Sequence, residues 1–302
     1  MNIVTTAIAP ILLLLALGWI LRHRLVNDPG FWRGLEFLSY RVFTPALFVV
    51  SISGAEATEV PLEALSVGLV VPVIAVSCMV LALKRVMRAD GPRVTSLVQG
   101  SIRINTYIGL VFAAALHGDA GVATFALAST LMVPLVNVVS VLVLTVHGTN
   151  AISIRPARIV RELFGNPLIQ ACVVGLGLSL LDVDLPAFLA STLGMLAEPA
   201  PVSGTLAVGA AITLQFRRSD LLDIAFTSGV KLVALPLVAG ALAHALGAEG
   251  ALLTSIVLIC AVPTAPSSYV LASRMGGDAR LMASITGVQT LVAIVTLPIL
   301  LT

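Results

Sequence analysis

Charge is scarce in this sequence. Of its 302 residues only 11% are charged, whereas 58% are hydrophobic and the mean hydropathy is +1.07. Soluble domains carry about 25% charged residues, so these values exclude a soluble globular chain. Apolar runs of about 20 residues recur along the whole length, and a helix needs that length to cross a bilayer. We therefore expect an all-α integral membrane protein.

Cysteine and histidine are also few, with three and four copies. Cys78, Cys172 and Cys260 fall inside apolar runs without metal-ligand spacing, so we expect packed thiols rather than disulfides or a metal site. No phosphate-binding loop of the G-x-x-x-x-G-K-[ST] type occurs, so ATP-driven pumping would need a separate subunit. No Lys or Arg precedes the first apolar run, which predicts a retained first helix rather than a signal peptide. We expect no cofactor.

The apolar runs predict ten transmembrane helices. Their predicted ranges are 3–21, 33–54, 62–83, 94–117, 120–145, 166–182, 186–214, 221–246, 251–273 and 279–301.

Basic residues are confined to alternate loops of this arrangement. Of the 17 basic residues, only Arg41, Arg103 and Lys231 lie within predicted spans and away from their ends. The positive-inside rule places the basic loops in the cytoplasm and both termini outside. We thus expect a multi-pass protein of the inner (plasma) membrane with extracytoplasmic termini.

Two halves of the sequence resemble each other. Gly118-Asp119 and Gly277-Asp278 follow the fourth and ninth spans, and Pro45 and Pro201 recur at a similar separation. Because five spans are an odd number, a second copy enters from the opposite face, as in the inverted repeats of secondary transporters. The predicted units are repeats 1–145 and 166–302, joined by a cytoplasmic linker, 146–165. Chance matches are the alternative, since glycine and proline are common in membrane helices.

The middle of the fourth span contains "RINT", residues 103–106, and the corresponding part of the ninth contains Pro263 and Pro266. Proline removes a backbone donor and breaks a helix. A break inside a bilayer is tolerated only where the backbone is buried in protein or lines a wet cavity. We expect spans 4 and 9 to be broken and to cross, with half-helix amino termini that favour an anion.

Several motifs together resemble the auxin efflux carrier family, which includes malonate and malate permeases. They are "VFTPALFVVSIS" from Val42, "RINTYIGL" from Arg103, "VPLVNVVSV" from Val133 and "VPTAPSSYVLA" from Val262. The short central loop is similar to that of the bacterial branch. The resemblance implies the fold of sodium/proton antiporters and bile-acid symporters. It also implies a homodimer in which a core of spans 3–5 and 8–10 moves, elevator-like, against a scaffold of spans 1, 2, 6 and 7.

Polar residues near the crossing are the candidate substrate ligands, because polar groups inside a membrane are costly and usually functional. They are Arg103, Asn105, Thr106, Asn137, Thr264, Ser267 and Ser268. Arg103 could hold a carboxylate bidentately; the alternatives are an ion pair with Glu198 or capping of freed carbonyls. For Asn137 a helix–helix hydrogen bond is the alternative, and for the two serines it is helix packing.

Four further charged residues fall within spans. Glu198 and Lys231 are candidates for coupling transport to protons, although a structural ion pair or a position near the interface is the alternative for Lys231. Glu36 and Arg41 have poor spacing for a helical pair. We expect those two at the cytoplasmic end of the span or at a dimer face.

The expected function is secondary transport of small organic anions, carboxylates such as malonate or malate, with H+ or Na+ as the coupling ion. Export of an aromatic, auxin-like carboxylate is one alternative, and a non-transporting membrane sensor or scaffold is another. An intramembrane aspartyl protease is disfavoured, because Asp119 and Asp278 are predicted at opposite membrane surfaces. The expected partners are the bilayer, the anion and a second copy of the chain, with no nucleic acid.

Overall fold

The computed structural model describes residues 9–54, 61–149, 165–212 and 217–301. Within these ranges every regular element is helical, which confirms the all-α expectation. The helices are α1 Ala9–Ile20, α2 Pro29–Leu38, α3 Thr44–Ser53, α4 Leu62–Ala82, α5 Gly91–Ile102, α6 Thr106–His147, α7 Pro167–Leu180, α8 Ala187–Ala197, α9 Pro199–Ala210, α10 Leu221–Gly229, α11 Leu235–Ala245, α12 Gly250–Ala261, α13 Ser267–Met275 and α14 Ala279–Leu301. Most of the predicted linker, 146–165, lies outside the described residues.

Short irregular turns join several of these helices end to end. π-Helical turns continue α1 (Leu21–Leu25), connect α2 to α3 (Ser39–Phe43) and connect α10 to α11 (Val230–Ala234), and the 3-10 turn Arg218–Asp220 precedes α10. Five continuous helical stretches in the described ranges are long and apolar enough to cross a membrane: Pro29–Ser53, Leu62–Ala82, Gly91–His147, Arg218–Ala245 and Ala279–Leu301. A membrane-embedded, multi-pass protein is thus confirmed.

Some helix ends differ from the predicted spans because local capping chemistry moves them. The second span begins at Pro29 rather than residue 33, since Asp28 caps it by accepting hydrogen bonds from Gly30 N at 2.8 Å and Phe31 N at 3.1 Å. Proline at the first helical position supports the same start, because its missing N–H would be unpaired there anyway.

Predicted span 186–214 is two helices rather than one. α8 ends at Ala197 and α9 starts at Pro199, with Glu198 between them. Glu198 itself has helical φ −52° and ψ −45°, so the interruption comes from Pro199, which lacks the N–H that would donate to the preceding turn.

Gly118 separates two predicted spans, 94–117 and 120–145, inside the long stretch of α6. Its backbone has φ 56° and ψ −139°, whereas its neighbours are helical. A side chain would strain this conformation, so glycine permits the sharp reversal of direction there.

Close contacts between backbones join α1 to α9 and α3 to α7. A Cβ on Gly18 would lie 2.2 Å from the Leu206 carbonyl oxygen, and one on Gly209 would lie 2.2 Å from that of Leu15. A Cβ on Gly175 would lie 2.9 Å from the Ile52 Cβ. Small residues let the helix axes approach closely, as is usual between membrane helices.

A cluster of charges fixes the ends of α5, α10 and α14 together. Arg93 pairs with Asp223 and lies 3.7 Å from Asp220, and Arg280 pairs with Asp220 and lies 3.8 Å from Asp278. Asp220 is fully buried. Removing a partner would leave a buried charge without compensation, so these helix ends are held as one unit.

Candidate functional site

Two helices are interrupted in the interior. α5 ends at Ile102 and α6 begins at Thr106, so residues 103–105 are non-helical. α12 ends at Ala261 and α13 begins at Ser267, so residues 262–266 form the second interruption. The second contains Pro263 and Pro266, which cannot donate backbone hydrogen bonds.

The first interruption contains no proline. There the side chain of Asn105 caps the following half-helix, because its Oδ1 accepts from Tyr107 N at 3.2 Å and from Ile108 N at 3.4 Å. Asparagine is among the best N-cap residues, since it satisfies donors that a helix start leaves free. The Asn105 side chain therefore marks the start of the half-helix after the first interruption, whereas prolines mark the second interruption.

Gln289 of α14 joins the two interruptions. Its Oε1 accepts from Thr264 N at 3.1 Å and lies 2.7 Å from the Thr264 hydroxyl, while its Nε2 donates to the Gly100 carbonyl at 2.8 Å. The Thr264 hydroxyl also lies 3.2 Å from the Gly100 carbonyl. Backbone groups freed by the breaks are satisfied in this way. Thr264 therefore has a structural role at the place where residues 103–105 and 262–266 meet, which we call the crossing.

A cavity of about 550 Å³ opens beside the crossing. We call it the crossing cavity. It is lined by five residues of the first interruption and its flanks, Arg103–Tyr107, together with Asn137, Pro266 and Ser267, and by Arg33, Glu36, Phe37, Tyr40, Thr44 and Leu168. It has the size of a small-molecule site.

Arg103 is the buried cation of this cavity, with 9% of its surface exposed. Nη1 donates to Asn137 Oδ1 at 3.0 Å and Nη2 donates to Ser267 Oγ at 3.2 Å. Across the described ranges no carboxylate forms an ion pair with it, so the alternative of a pair with Glu198 is not observed. A buried positive charge with neutral partners retains a strong preference for an anion.

Two further features of the crossing cavity favour negative charge. Asn105 is 1% exposed and its Nδ2 has no hydrogen-bond partner, while the same residue lines the cavity. The starts of the half-helix at Thr106 and of α13 at Ser267 also lie at the cavity wall. Helix amino termini carry partial positive charge and free N–H groups, so both ends add to the attraction.

Two of the predicted ligands lie behind the cavity wall. Thr264 and Ser268 are fully buried and line neither this cavity nor the one described next, and the hydroxyl of Ser268 has no hydrogen-bond partner. The other predicted ligands, Arg103, Asn105, Thr106, Asn137 and Ser267, are brought together at the wall. The crossing thus separates residues that hold the backbone from residues that face the cavity.

A second cavity, of about 500 Å³, adjoins the first, and we call it the vestibule. Both cavities are lined by Glu36, Pro266, Ser267 and Val270, and the vestibule continues to Ala279 and Arg280 at the start of α14. That helix start belongs to the end of the molecule that holds the charge cluster. The vestibule therefore connects the crossing with the end where the basic loops are predicted.

The two candidate coupling residues lie apart from both cavities. Lys231 is fully buried and its Nζ donates to the Cys260 carbonyl at 2.7 Å, near the end of α12. A cation is favourable there, because a helix carboxyl end is partly negative. Glu198 is exposed at the junction of α8 and α9.

Glu36 and Gln289 belong to the site although the sequence does not identify them as site residues. Glu36, for which the sequence predicts the cytoplasmic end of the span or a dimer face, lines both cavities. Its only signal was an ionisable residue within an apolar span. Gln289 gave no signal, because its contacts with Gly100 and Thr264 join residues 189 and 25 positions apart.

The described residues contain no group of three or more histidine, cysteine, aspartate or glutamate side chains that could hold a metal ion. Cys78, Cys172 and Cys260 are free thiols.

Comparison with known protein families gives a match over nearly the whole chain. No curated protein matches the sequence significantly. A family described as membrane transport protein, to which the auxin efflux carriers belong, matches residues 3–301. The chain, with its apolar helices, therefore belongs to this family of membrane transporters.

Proposed function

We propose that this protein is a secondary transporter of small organic anions, carboxylates such as malonate or malate. The carrying observation is Arg103, a buried guanidinium that lines a cavity and, among the described residues, donates only to the neutral groups of Asn137 and Ser267. A carboxylate can accept two parallel hydrogen bonds from such a group, which gives both attraction and orientation.

The rest of the crossing cavity supports an anion of small size. Asn105 supplies an unpartnered amide donor, and two half-helix amino termini end at the wall. The same wall contains several apolar residues, among them Val133, Val136 and Leu168. A few placed polar groups in a largely apolar cavity are typical of small-molecule sites.

The proposed architecture is two inverted repeats of five spans, with a scaffold of spans 1, 2, 6 and 7 and an elevator-type core of spans 3–5 and 8–10. One interruption in each half supports the repeat, and so does the packing of α1 on α9 and of α3 on α7. An inverted duplication exchanges span 1 with 6 and span 2 with 7, so it relates these two contacts. The proposed working form is a homodimer in the inner membrane with both termini outside.

The proposal is tested by uptake of radiolabelled malonate into proteoliposomes, with and without an imposed pH or sodium gradient. Unlabelled malate, succinate and indole-acetate serve as competitors, so that an aromatic carboxylate specificity would be recognised. We expect saturable uptake that a gradient stimulates. Absence of uptake by folded protein under every gradient would contradict transport of these anions and favour the sensor alternative.

The matched variants for this experiment are Arg103→Gln and Arg41→Gln. Arg41 is an exposed guanidinium 6.0 Å from the Phe37 ring centroid and lines neither cavity. Hydrogen bonds to a charged group contribute about 1.5–3 kcal/mol, so we expect Arg103→Gln to weaken malonate binding by roughly ten- to a hundredfold. Equal effects of the two substitutions would assign Arg103 a structural role.

A further inference from the structure

Glu36 stands at the boundary between the two cavities. It lines the crossing cavity together with Arg103, and it also lines the vestibule. Among the described residues that line either cavity, it is the one acidic residue. The wall that the vestibule shares with the crossing cavity therefore contains a carboxyl group.

The carboxyl group of Glu36 has no partner that would fix its charge. It forms no ion pair with any residue of the described ranges, although Arg33 and Arg103 line the same cavity. Arg280 of the vestibule is already bound to Asp220 and lies near Asp278. Glu36 is thus unlike the acidic residues of the charge cluster, whose charges are held by arginines.

The other titratable groups around Glu36 are tyrosines and arginines. Tyr40 and Tyr107 line the crossing cavity and Tyr269 lines the vestibule. Helix α9, which packs against α2, contains no titratable side chain, and Glu198 precedes its first residue. Because the arginines stay protonated, the charge of this wall changes with the protonation of Glu36.

A carboxylate at this position opposes the anion that Arg103 attracts, because two negative charges would share one cavity. Protonation of the Glu36 carboxylate removes that repulsion and turns one of its oxygens into a hydrogen-bond donor. The crossing cavity would then bind an anion weakly at a pH where Glu36 is ionised and tightly at a pH where Glu36 is protonated.

We propose that Glu36 is the proton-responsive residue that controls entry of the anion from the vestibule to Arg103. This inference rests on the proposed function, since it assigns regulation to the same site. One proton from water in the vestibule binds the Glu36 carboxylate, the anion then binds Arg103, and the proton returns to water when the anion leaves. Anion binding is accordingly linked to uptake of a proton, and Glu36 rather than Glu198 or Lys231 is responsible.

The test measures malonate affinity of the purified full chain in detergent between about pH 6 and about pH 8. Wild type, Glu36→Gln, Glu36→Asp and Glu198→Gln are compared, so the ionisation of malonate itself is common to all. We expect affinity to fall with rising pH by about tenfold more in wild type than in Glu36→Gln. Glu36→Asp and Glu198→Gln should keep the wild-type dependence of malonate affinity on pH, because each variant still has a carboxyl group at residue 36.

The outcomes separate this inference from the proposed function. If wild type binds malonate and Glu36→Gln keeps the full pH dependence, Glu36 is not the controlling residue, while the anion site stands. If Glu198→Gln removes the dependence, the control lies at Glu198 and the inference is wrong. If folded wild type binds no carboxylate at either pH, the proposed function itself fails.

Discussion

Thr264 presents both its backbone N–H and its hydroxyl to a single oxygen of Gln289, at 3.1 and 2.7 Å. The amide nitrogen of the same Gln289 side chain donates to Gly100, just before the other interruption. The Gln289 side chain of α14 thereby fixes the two broken helices relative to each other. Breaks in the interior are stable because backbone groups freed by them find partners of this kind.

Gln289→Leu is expected to destabilise the protein by roughly 1 to 3 kcal/mol, because the buried Thr264 N loses its partner while the Gly100 carbonyl keeps the Thr264 hydroxyl. The measurement is the free energy of unfolding in detergent. Gln99→Leu is the matched control, since Gln99 is equally buried but neither end of its amide has a hydrogen-bond partner. That substitution should cost less than about 1 kcal/mol. Similar costs for both glutamines would show that the crossing does not depend on Gln289.

Substitutions of Asn105 separate its cap from its free amide. Asn105→Asp keeps a cap oxygen for Tyr107 N and Ile108 N, so stability should stay near that of wild type. It also replaces the unpartnered Nδ2 by a negative oxygen in the crossing cavity, and malonate affinity should fall by about tenfold or more. Thermal unfolding and equilibrium binding measured on the same sample check both parts. Unchanged affinity would place the anion elsewhere.

Lys231→Met tests whether every buried cation serves the anion. Lys231 lines neither cavity and donates to Cys260 O, so its loss should alter unfolding while malonate affinity changes by less than about threefold. Arg103→Gln, measured alongside, should show the opposite balance. A loss of pH-dependent uptake in Lys231→Met with normal binding would instead support the coupling role expected from the sequence.

Pro263→Ala should damage malonate uptake more than Pro72→Ala or Pro236→Ala. Pro263 lies within the second interruption, and alanine there restores a backbone donor that favours a continuous helix. Pro72 lies inside α4, and Pro236 lies in the first turn of α11. Initial uptake rates at equal amounts of reconstituted protein provide the comparison. Equal losses at all three prolines would argue against a special role for the crossing.

Local chemistry explains what could be predicted from the sequence. Pro263 and Pro266 act through their own missing N–H groups, and Arg103 and Asn105 stand out because polar residues are costly in apolar runs. Such signals predicted that spans 4 and 9 are broken, and the structure has helix ends at residues 102 and 261. The position of Glu36 did not follow, because a charged residue in a span has the same pattern whether it faces a cavity, a partner or a helix end.

The sequence by itself determined that the chain is helical and embedded in a membrane, and where its interior polar residues fall. These properties depend on hydropathy and backbone donors, which are additive and local along the chain. Tertiary structure alone decided that Gln289 joins Gly100 to Thr264, that Arg103 faces neutral partners and that Glu36 lies at the junction of two cavities. Such contacts depend on how helices from distant parts of the sequence pack, since burial and pairing are properties of the assembled interior.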